Sequence, residues 1–574
     1  MQFVKAVLQY DDKTVNFPFN KMTFFEELYV DFKQTDNGNY QTYHLVIHPK
    51  QAIQIKRLAL VFDHAYLPNP HTRIFCNGYQ SSSESREFAL DETIPSLRFW
   101  AKKNRQYQGD EHLQMIPRAK GKFHSWTYTY IKEEAFIFAG SLKENAAFTY
   151  FLHDTLRHQF TIEKDCHDLE LSHSFPILDV FVGKGNEKET FDYWFGEMDL
   201  PPLQRKSGIG WTSEQHGSNI SEALILKNLN AFLDKKIPLD YFQIDEGYAT
   251  HLGDWLDLQP SFPNGLATIS QKIKQSNYKS GIWLAPFICD AQSKIFTHKK
   301  QWLVKDKNGK PLLIGHHQSK GNCYALDFYQ SEVQEYLIQV IHVFTKKWGF
   351  DFLKLDYLYA VCILPTKNKT RGQILADALE FLKRQLGDKI LFANQIPLGS
   401  AFGTVDFCSI SGNTYSKWEN KIERFCGNRE RNAALPALRS TLGRWQLNNR
   451  VFHNVPTPFI LQKEKNTLTP TQQYTALIIN VLCGNLSLTS DDIANYSPEQ
   501  KSEFEYIFQL QKCTIKEVQN LNNDQYIIHF NEGEKKFFAA CNLSNKKVTI
   551  LNTDLQPFET LVRLENVKTL NVKR

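Results

Sequence analysis

Residues 352–360 read FLKLDYLYA, an apolar run that carries a lysine and an aspartate two positions apart. Side chains two positions apart on a β-strand point to the same face, so Lys354 and Asp356 are predicted to lie side by side. A cation beside a carboxylate keeps that carboxylate ionised, as a catalytic nucleophile requires. An ion pair inside a barrel, without a catalytic role, has the same spacing, so the run by itself leaves both interpretations open.

A pattern of short apolar run, loop and amphipathic helix repeats around this segment, from about residue 207 onward. Helical periodicity covers residues 221–236, 330–349 and 374–387, for example. Eight strands that alternate with helices over about 300 residues are typical of a (β/α)₈ TIM barrel. The connection over residues 395–405 is too short for a full helix, which predicts one degenerate unit. The predicted strands are residues 208–211, 241–245, 281–285, 352–356, 390–394, 406–410, 451–454 and 486–490.

The flanks of the predicted barrel have a different pattern, and at 574 residues the chain is too long for a single core. Short β-rich runs punctuated by Asn-Gly and Pro-Asn-Pro turns fill the first part, which predicts an antiparallel β-sandwich. The last part alternates again and predicts a small antiparallel β domain. We therefore expect a multidomain α/β protein with an N-terminal sandwich (1–203), a barrel (204–513) and a C-terminal β domain (514–574).

Composition narrows the possible partners and the location. The chain has 67 basic and 62 acidic residues without a long basic run, so no nucleic-acid partner is predicted. The N-terminus has no apolar stretch of signal-peptide length, and no run of about 18 apolar residues could cross a membrane. Ten scattered cysteines without a Cys-x-x-Cys pair predict neither a metal site nor disulfides. We expect a cytoplasmic protein without a membrane partner.

Polar and aromatic residues lie at the carboxyl ends of most of the predicted strands. A barrel of this type carries its functional groups at these ends. Carboxylates and amides pair with hydroxyl groups, and indoles stack on the apolar face of a sugar ring, so this set predicts a carbohydrate ligand. For the acidic pair, a helix N-cap with an exposed acid is the alternative interpretation. The residues are Trp211, Asp245, Glu246, Trp283, Lys354, Asp356, Asn394 and Ser409.

An ordered series of motifs resembles glycoside hydrolase family 36, the α-galactosidases, over nearly the whole chain. NGYQSSSESREF (77–88) is similar to that family's NGYQSW element, and GIGWTS, FQIDEGY, GIWLAPF and WGFDFLKLDYLYA follow in the family's order. Later segments include QIPLGSAFGTVDFCSISGNTYSKW (395–418) and LTSDD (488–492). An ordered series is stronger support for fold and ancestry than any one motif.

The resemblance implies a role for each matching residue. Asp356 matches the nucleophile, and Lys354 matches the lysine that holds sugar hydroxyls beside it. Asp245 and Glu246 match the acidic pair that binds the far hydroxyls of the terminal sugar. Trp211 and Trp283 match the walls of the sugar subsite. Such enzymes need no metal or organic cofactor, and members of this architecture often form homo-oligomers.

The family's general acid/base is an aspartate five residues before a tryptophan, and here Asn413 stands five before Trp418. Ser409 replaces the family's arginine near C2 of the sugar. Three further positions depart from the family pattern: Ser82, Glu214 and Val455. An amide cannot donate a proton to a leaving alkoxide, and a retaining mechanism needs two carboxyl groups.

Three explanations for Asn413 remain open at this point. Asn413 is an engineered replacement that traps substrate, or another acid near the mouth takes over, or the barrel only binds carbohydrate. The candidates for a replacement acid are Glu214, Glu246, His216 and His453. We favour a retaining α-glycosidase that cleaves or transfers a terminal α-linked sugar, with a catalytically silent carbohydrate-binding protein as the alternative.

Other polar residues are given structural roles. His316 and His317 are expected to be solvated in a long loop after the third strand. Arg439 and Arg444, on a helix, are expected to anchor acidic loops of the barrel. For Asp491 and Asp492, bonding between loops and contact with substrate are equally compatible with the sequence.

Overall fold

A computed structural model describes residues 1–98, 100, 119–317, 319–366, 368–413, 417–462, 467–522 and 524–565. The N-terminal part contains two antiparallel sheets that share one apolar core. One sheet has the order Lys13–Phe17, Gln2–Tyr10, Ile53–Asp63, Gln159–Lys164, Thr149–Asp154 and Lys122–Trp126, with Leu169–Leu171 also paired to Ile53–Asp63. The other has the order Lys21–Phe24, Leu28–Asp36, Tyr40–Pro49, Phe175–Gly185, Phe136–Ser141, Tyr128–Lys132, Arg73–Cys76 and Arg86–Ala89. The predicted sandwich is confirmed.

The central part is a parallel, nearly closed barrel of eight strands. The strands are β1 (Gly208–Thr212), β2 (Tyr241–Ile244), β3 (Lys279–Leu284), β4 (Phe352–Leu355), β5 (Ile390–Ala393), β6 (Phe407–Ser409), β7 (His453–Val455) and β8 (Leu486–Thr489). They lie in the order β7-β6-β5-β4-β3-β2-β1-β8, and all eight coincide with predicted runs to within a few residues. The predicted (β/α)₈ fold class is confirmed.

Helices follow most of the barrel strands, and several begin at side-chain caps. Thr370 and Thr469 form capping boxes with Gln373 and Gln472, which satisfy backbone N–H groups at both helix starts. The link from β5 to β6 carries only the short 3₁₀ turn Leu398–Ala401, as the degenerate unit requires. Within the described ranges, the α-helices include Glu187–Glu197, Glu222–Asp234, Gly265–Gln275, Lys294–His298, Ser331–His342, Arg371–Leu386, Lys421–Phe425, Ala434–Gly443, Pro470–Cys483 and Pro498–Leu510.

Side chains from alternate strand positions form one buried apolar cluster in the barrel interior. The cluster consists of Tyr241, Phe352, Ile390, Phe392, Phe407, Val455, Leu486 and Leu488. Gly281 makes room for this layer, because a Cβ atom there would lie 1.9 Å from the Phe352 ring. Lys354 and Asp356 are two and four residues beyond Phe352, so they continue the same inward face toward the carboxyl ends of the strands.

The C-terminal part is a four-stranded antiparallel sheet with a separate hairpin. The sheet has the order Thr514–Asn522, Gln525–Glu532, Lys535–Asn542 and Thr560–Leu564, and the hairpin pairs Val548–Ile550 with Thr553–Leu555. A further small sheet, formed by Ile288–Asp290, Gly321–Ala325 and Leu313–His317, lies in the long loop after β3. The domain limits at 203/204 and 513/514 stay a prediction.

Two further findings concern the whole chain. All ten cysteines have free thiols. Of the helices within the described ranges, none has the length and apolar character needed to span a bilayer.

Candidate active site

Lys354 is the centre of a buried group of charges at the carboxyl ends of the strands. Its Nζ donates to Glu214 Oε2 at 2.8 Å and to Asp245 Oδ2 at 2.9 Å. Lys354 belongs to β4, whereas Glu214 and Asp245 follow β1 and β2, so the lysine side chain reaches across the barrel mouth. Charges that interact inside a protein are screened much less than those on its surface. The ion pairs raise the pKa of Lys354 despite its burial, so Lys354 is a fixed cation.

Asp245 is oriented by two further hydrogen bonds. Gln243, inward-facing on β2, donates from Nε2 to Asp245 Oδ2 at 2.6 Å. The Asp245 backbone N–H donates to Ser213 Oγ at 2.8 Å, which joins the loops after β1 and β2. Asp245 therefore lies beside Lys354 in a defined orientation.

Glu214 has one carboxyl oxygen that is bonded to Lys354 and one without a hydrogen bond among the described residues. It is buried, and its Oε1 has no hydrogen-bond partner among the residues that the structure describes. Burial raises the pKa of Glu214, and the charges of Asp245 and Asp356 add to this rise, while Lys354 opposes it. A buried carboxyl with one free oxygen is a hydrogen-bonding site for a ligand that enters the mouth.

Asp356 is held by three donors from three directions. Trp283 Nε1 donates to Asp356 Oδ2 at 3.0 Å, and Asn394 Nδ2 donates to the same oxygen at 3.1 Å. The Tyr357 backbone N–H donates to Oδ1 at 2.7 Å. Tyr357 adopts a left-handed backbone conformation with φ of 52°, which directs the chain away from the strand immediately after the aspartate. Burial raises the pKa of Asp356, and Lys354, Trp283 and the Tyr357 N–H oppose that rise.

A second pair forms beside this group from Glu246 and His317. His317 Nε2 lies 2.7 Å from Glu246 Oε2. Burial lowers the pKa of His317, but the contact with Glu246 and the charge of Asp356 outweigh it, so the pKa is raised overall. The expectation that His317 is solvated is wrong, because the small sheet after β3 places it over Glu246. His316, next to it, is exposed as expected.

Three further predicted residues are Trp211, Ser409 and Asn413. The Trp211 indole stacks on Phe242 with ring centres 4.5 Å apart and donates from Nε1 to the Asp491 carbonyl at 2.9 Å. Ser409 ends β6 and is half-buried. Asn413 is also half-buried and lies in the loop after β6. The roles given to Trp211, Ser409 and Asn413 stay predictions.

The two histidines named as replacement acids differ in position. His216 follows β1, and its ring lies 6.3 Å from that of Trp211. His453 is at the opposite end of the barrel, where Nε2 contacts the Arg205 carbonyl at 2.8 Å. The prediction that His453 lies near the mouth is wrong, because β7 begins at this residue instead of ending just after it.

A loop of the sandwich, residues 77–85, lies against the loops after β5 and β6, and we call it the N-terminal loop. Its Ser81 N–H donates to the Ile396 carbonyl at 2.8 Å. The fully buried Arg444 donates to Asn77 Oδ1 at 2.9 Å, to the Ser81 carbonyl, and to the Ile410 carbonyl at 2.8 Å. Arg444 thus joins the sandwich to the barrel, so the expectation that it anchors acidic barrel loops is wrong.

Arg439 has a similar bridging role. It pairs with Glu84 of the N-terminal loop at 2.8 Å and with Asp524 of the C-terminal part at 2.7 Å. Both carboxylates lie outside the barrel, so the barrel-loop partners expected for Arg439 are also wrong. The two acids after β8 have different partners. Asp491 accepts from the Leu461 and Gln462 N–H groups, whereas Asp492 pairs with Lys227.

Sequence reasoning missed one buried acid of the loop after β6. Ser83 Oγ of the N-terminal loop donates to Glu430 Oε1 at 2.5 Å. Burial raises the pKa of Glu430, while Ser83 and the neighbouring arginines oppose the rise. Glu430 lies 17 positions beyond Asn413 and in no family motif, so the printed sequence gives no direct sign of this contact.

Comparisons with known proteins bear on the fold and on the family resemblance. The model of the glycosyl hydrolases family 31 TIM-barrel domain matches residues 201–478. The α-galactosidase Mel36A of Lactobacillus acidophilus is 26% identical over 130 residues, which are 21% of this chain and 17% of that protein. The A type blood α-D-galactosamine galactosaminidase of Flavonifractor plautii is 24% identical over 215 residues, or 35% of this chain and 20% of that protein. The resemblance to the α-galactosidases is confirmed.

Solved structures extend the α-galactosidase-like fold to nearly the whole chain. TtGalA, an α-galactosidase from Thermus thermophilus solved with p-nitrophenyl α-D-galactopyranoside, aligns with a TM-score of 0.69 at 20% identity. That alignment covers 93% of this chain and 98% of TtGalA. The family 36 α-galactosidase AgaA of Geobacillus stearothermophilus aligns with a TM-score of 0.62 at 12% identity, covering 94% and 80% of the two chains. The sequence matches to the two curated relatives above span only about a fifth or less of those relatives.

Proposed function

We propose that this α-galactosidase-like protein is a retaining α-glycosidase that acts on a terminal, α-linked galactose-type sugar. The observation that carries the proposal is the arrangement of Asp356, a buried carboxylate aimed by Trp283, Asn394 and the Tyr357 N–H. Fixing a nucleophile in this way removes much of the orientational entropy that the reaction would otherwise cost. The position of Asp356 at the barrel mouth, in the same group of charges as the Glu214 Oε1 left unpaired by the described residues, supports a role in contacting a ligand.

The reaction proceeds in two displacements. An Asp356 oxygen attacks the anomeric carbon, the glycosidic C–O bond breaks, and its electron pair goes to the leaving oxygen, which takes up a proton. Water then attacks the anomeric carbon, loses a proton to a base, and releases the Asp356 carboxylate. A sugar hydroxyl in place of water gives transfer instead of hydrolysis.

Recognition of the terminal sugar is assigned to the buried charges around Lys354. The third N–H of the Lys354 ammonium, not used by Glu214 or Asp245, can donate to a sugar hydroxyl, and the free Glu214 Oε1 can accept from one. Glu246, held by His317, supplies a further carboxylate at the same mouth. The names of the relatives, α-galactosidases and a galactosaminidase, support a galactose-type sugar.

Specificity for a substituted sugar follows from the departures from the family pattern. The family's arginine near C2 is a serine at position 409, which leaves more room and removes a positive charge. The galactosaminidase relative supports a substituent of this kind. We therefore propose that aryl α-galactosides and their 2-amino analogues are both suitable first substrates.

Trapping the covalent intermediate tests the proposal. An aryl α-galactoside with a good leaving group is mixed rapidly with the protein, and the released phenol and the protein mass are followed together. We expect a burst of phenol and a glycosyl group on the peptide that contains Asp356. Asp356→Asn should abolish both, whereas Asp234→Asn, at an exposed helix end, should leave both unchanged.

The alternative, a catalytically silent carbohydrate-binding protein, is favoured by the amide at Asn413. It predicts binding of the same sugars without Asp356-dependent product. Equal, slow release of phenol by the unmodified protein and by Asp356→Asn, with normal sugar binding, would replace the enzyme proposal by this one.

A further inference from the structure

A retaining mechanism requires a proton donor, and the carboxyl groups around Lys354 are unsuited to that task. Lys354 is shared by Glu214 and Asp245, and Glu246 is paired with His317. All of these carboxyl groups follow β1 or β2 and belong to the end of the site that we assign to the terminal sugar. The bond to be cleaved then faces the other side of Asp356, toward β5 and β6, from which Asn394 reaches the same carboxylate.

On the side toward β6, the segment that carries Glu430 lies against the segment that carries Asn413. A Cβ atom built on Gly412, the residue before Asn413, would lie 3.1 Å from the Ser82 carbonyl oxygen and 3.9 Å from the Arg431 carbonyl oxygen. The backbone next to Glu430 is therefore packed against the backbone next to Asn413. Ser83 of the N-terminal loop donates to the Glu430 carboxyl at 2.5 Å and so holds it on this side of the barrel.

Tyr359 lies on the same side, because its backbone N–H donates to the Gln395 carbonyl after β5 at 3.0 Å. Besides burial, the charges of Cys323, Asp356 and Glu430 raise the pKa of this tyrosine. The exposures of the two carboxyl groups are also alike, with 7% for Asp356 and 6% for Glu430. Burial favours the protonated form of Glu430, which is the form that a proton donor needs.

We infer that Glu430, carried by the loop after β6 and held by Ser83, is the general acid and base that serves in place of a carboxylate at position 413. The inference rests on the proposed function. In the first displacement the Glu430 carboxyl gives its proton to the leaving oxygen as the Asp356–sugar bond forms. In the second, the Glu430 carboxylate takes a proton from the attacking water as the Asp356–sugar bond breaks.

The role of Glu430 as general acid and base is tested by assaying the Glu430→Gln variant on substrates with different leaving groups. An alkyl α-galactoside needs protonation of its leaving oxygen, so its kcat/KM should fall about 10²–10⁴-fold. A dinitrophenyl α-galactoside needs none, so its burst of phenol should remain, and turnover after the burst should be slow. Azide, which attacks without a base, should restore turnover and yield a glycosyl azide. Glu419→Gln, a carboxylate of the same loop that pairs with Arg431, is the matched control and should change neither substrate.

Ser83→Ala provides a second measurement that leaves the Glu430 carboxyl in place. The Ser83 hydrogen bond lowers the pKa of Glu430, so its removal should move the alkaline limb of the kcat/KM profile to higher pH. An unmoved limb would contradict the inference, as would an equal loss on both leaving groups in Glu430→Gln. The assignment of Glu430 is also overturned if Glu214→Gln, instead of Glu430→Gln, shows the leaving-group dependence and the azide rescue. Absence of any Asp356-dependent burst in the unmodified protein would contradict the proposed function itself.

Discussion

Glu214 accepts a hydrogen bond from Lys354 at 2.8 Å, although the two residues are 140 positions apart, with Lys354 on β4 and Glu214 after β1. Asp245 shares the same ammonium, and Asp356 is near enough to raise the pKa of Glu214. The Lys354 ammonium is thus one positive charge among three carboxyl groups, those of Glu214, Asp245 and Asp356. The charges of Asp245 and Asp356 therefore add to the rise that burial gives the pKa of Glu214.

Removing the cation should destabilise the fold strongly. Lys354→Met leaves Asp245 and Glu214 without their shared partner in a buried site, which typically costs about 3–5 kcal/mol. Urea unfolding of the variant at neutral pH measures the loss. Lys188→Met removes an exposed pair with Asp192 and should cost less than about 1 kcal/mol. Equal losses for the two variants would show that the site around Lys354 is much wetter than its burial indicates.

The raised pKa of Glu214 makes stability depend on pH. A carboxyl with a raised folded-state pKa stabilises the fold fully below its unfolded pKa, near 4.5, and this contribution is lost as the pH rises through the folded value. Glu214→Gln keeps the neutral form at every pH. The variant should therefore gain stability relative to the unmodified protein as the pH increases.

Unfolding free energies of both proteins, measured between about pH 4 and pH 8, check the sign of this difference. Glu503→Gln, on an exposed turn of the last helix, controls for loss of one negative charge and should shift all points by less than about 0.5 kcal/mol. A difference that is constant with pH would mean that Glu214 titrates alike in the folded and unfolded chains.

The raised pKa of His317 should also make the stability of the fold depend on pH. Its pKa is raised above 6.5, so its pairing with Glu246 stabilises the fold fully below that value and is lost as the pH rises through the folded pKa. An NMR titration of the ring should place its midpoint above 6.5. His317→Gln should flatten the fall of stability above pH 6.5. A His317 midpoint at or below 6.5 would contradict the prediction.

The barrel and much of its candidate site could be predicted because both depend on local periodicity. Asp245, Trp283, Lys354, Asp356 and Asn394 each occupy the inward position at the end of an apolar run, so counting along the run is enough to bring them together. His453 was placed at the wrong end because a three-residue strand gives too little periodicity to fix where it begins.

Contacts between distant segments could not be predicted in the same way. Arg444 binds a loop more than 360 positions earlier, and Glu430 meets Ser83 across 347 positions. These pairs depend on how the sandwich lies against the barrel, which no local pattern encodes. The NGYQ element at residues 77–80 was a recognisable motif, but its partners became visible only in the folded chain.

Arg444 should control the attachment of the N-terminal loop to the mouth. Burial lowers its pKa to about 10, and its N–H groups bind Asn77 together with carbonyls of the N-terminal loop and of the segment after β6. Arg444→Met leaves several buried acceptors without donors, each of which costs about 1–3 kcal/mol. We expect a loss of roughly 3–5 kcal/mol in unfolding free energy. Hydrogen exchange should become faster in residues 77–85 than in the sandwich strands.

The matched substitution is Arg450→Met, which removes a partly exposed pair with Asp192 and should cost less than about 1 kcal/mol. If the N-terminal loop positions Glu430 through Ser83, Arg444→Met should also lower kcat/KM more for alkyl than for dinitrophenyl α-galactosides. Arg450→Met should lower neither. Faster exchange spread evenly over the sandwich and the barrel would instead assign Arg444 a role in global stability alone, with no special part in holding the loop over the mouth.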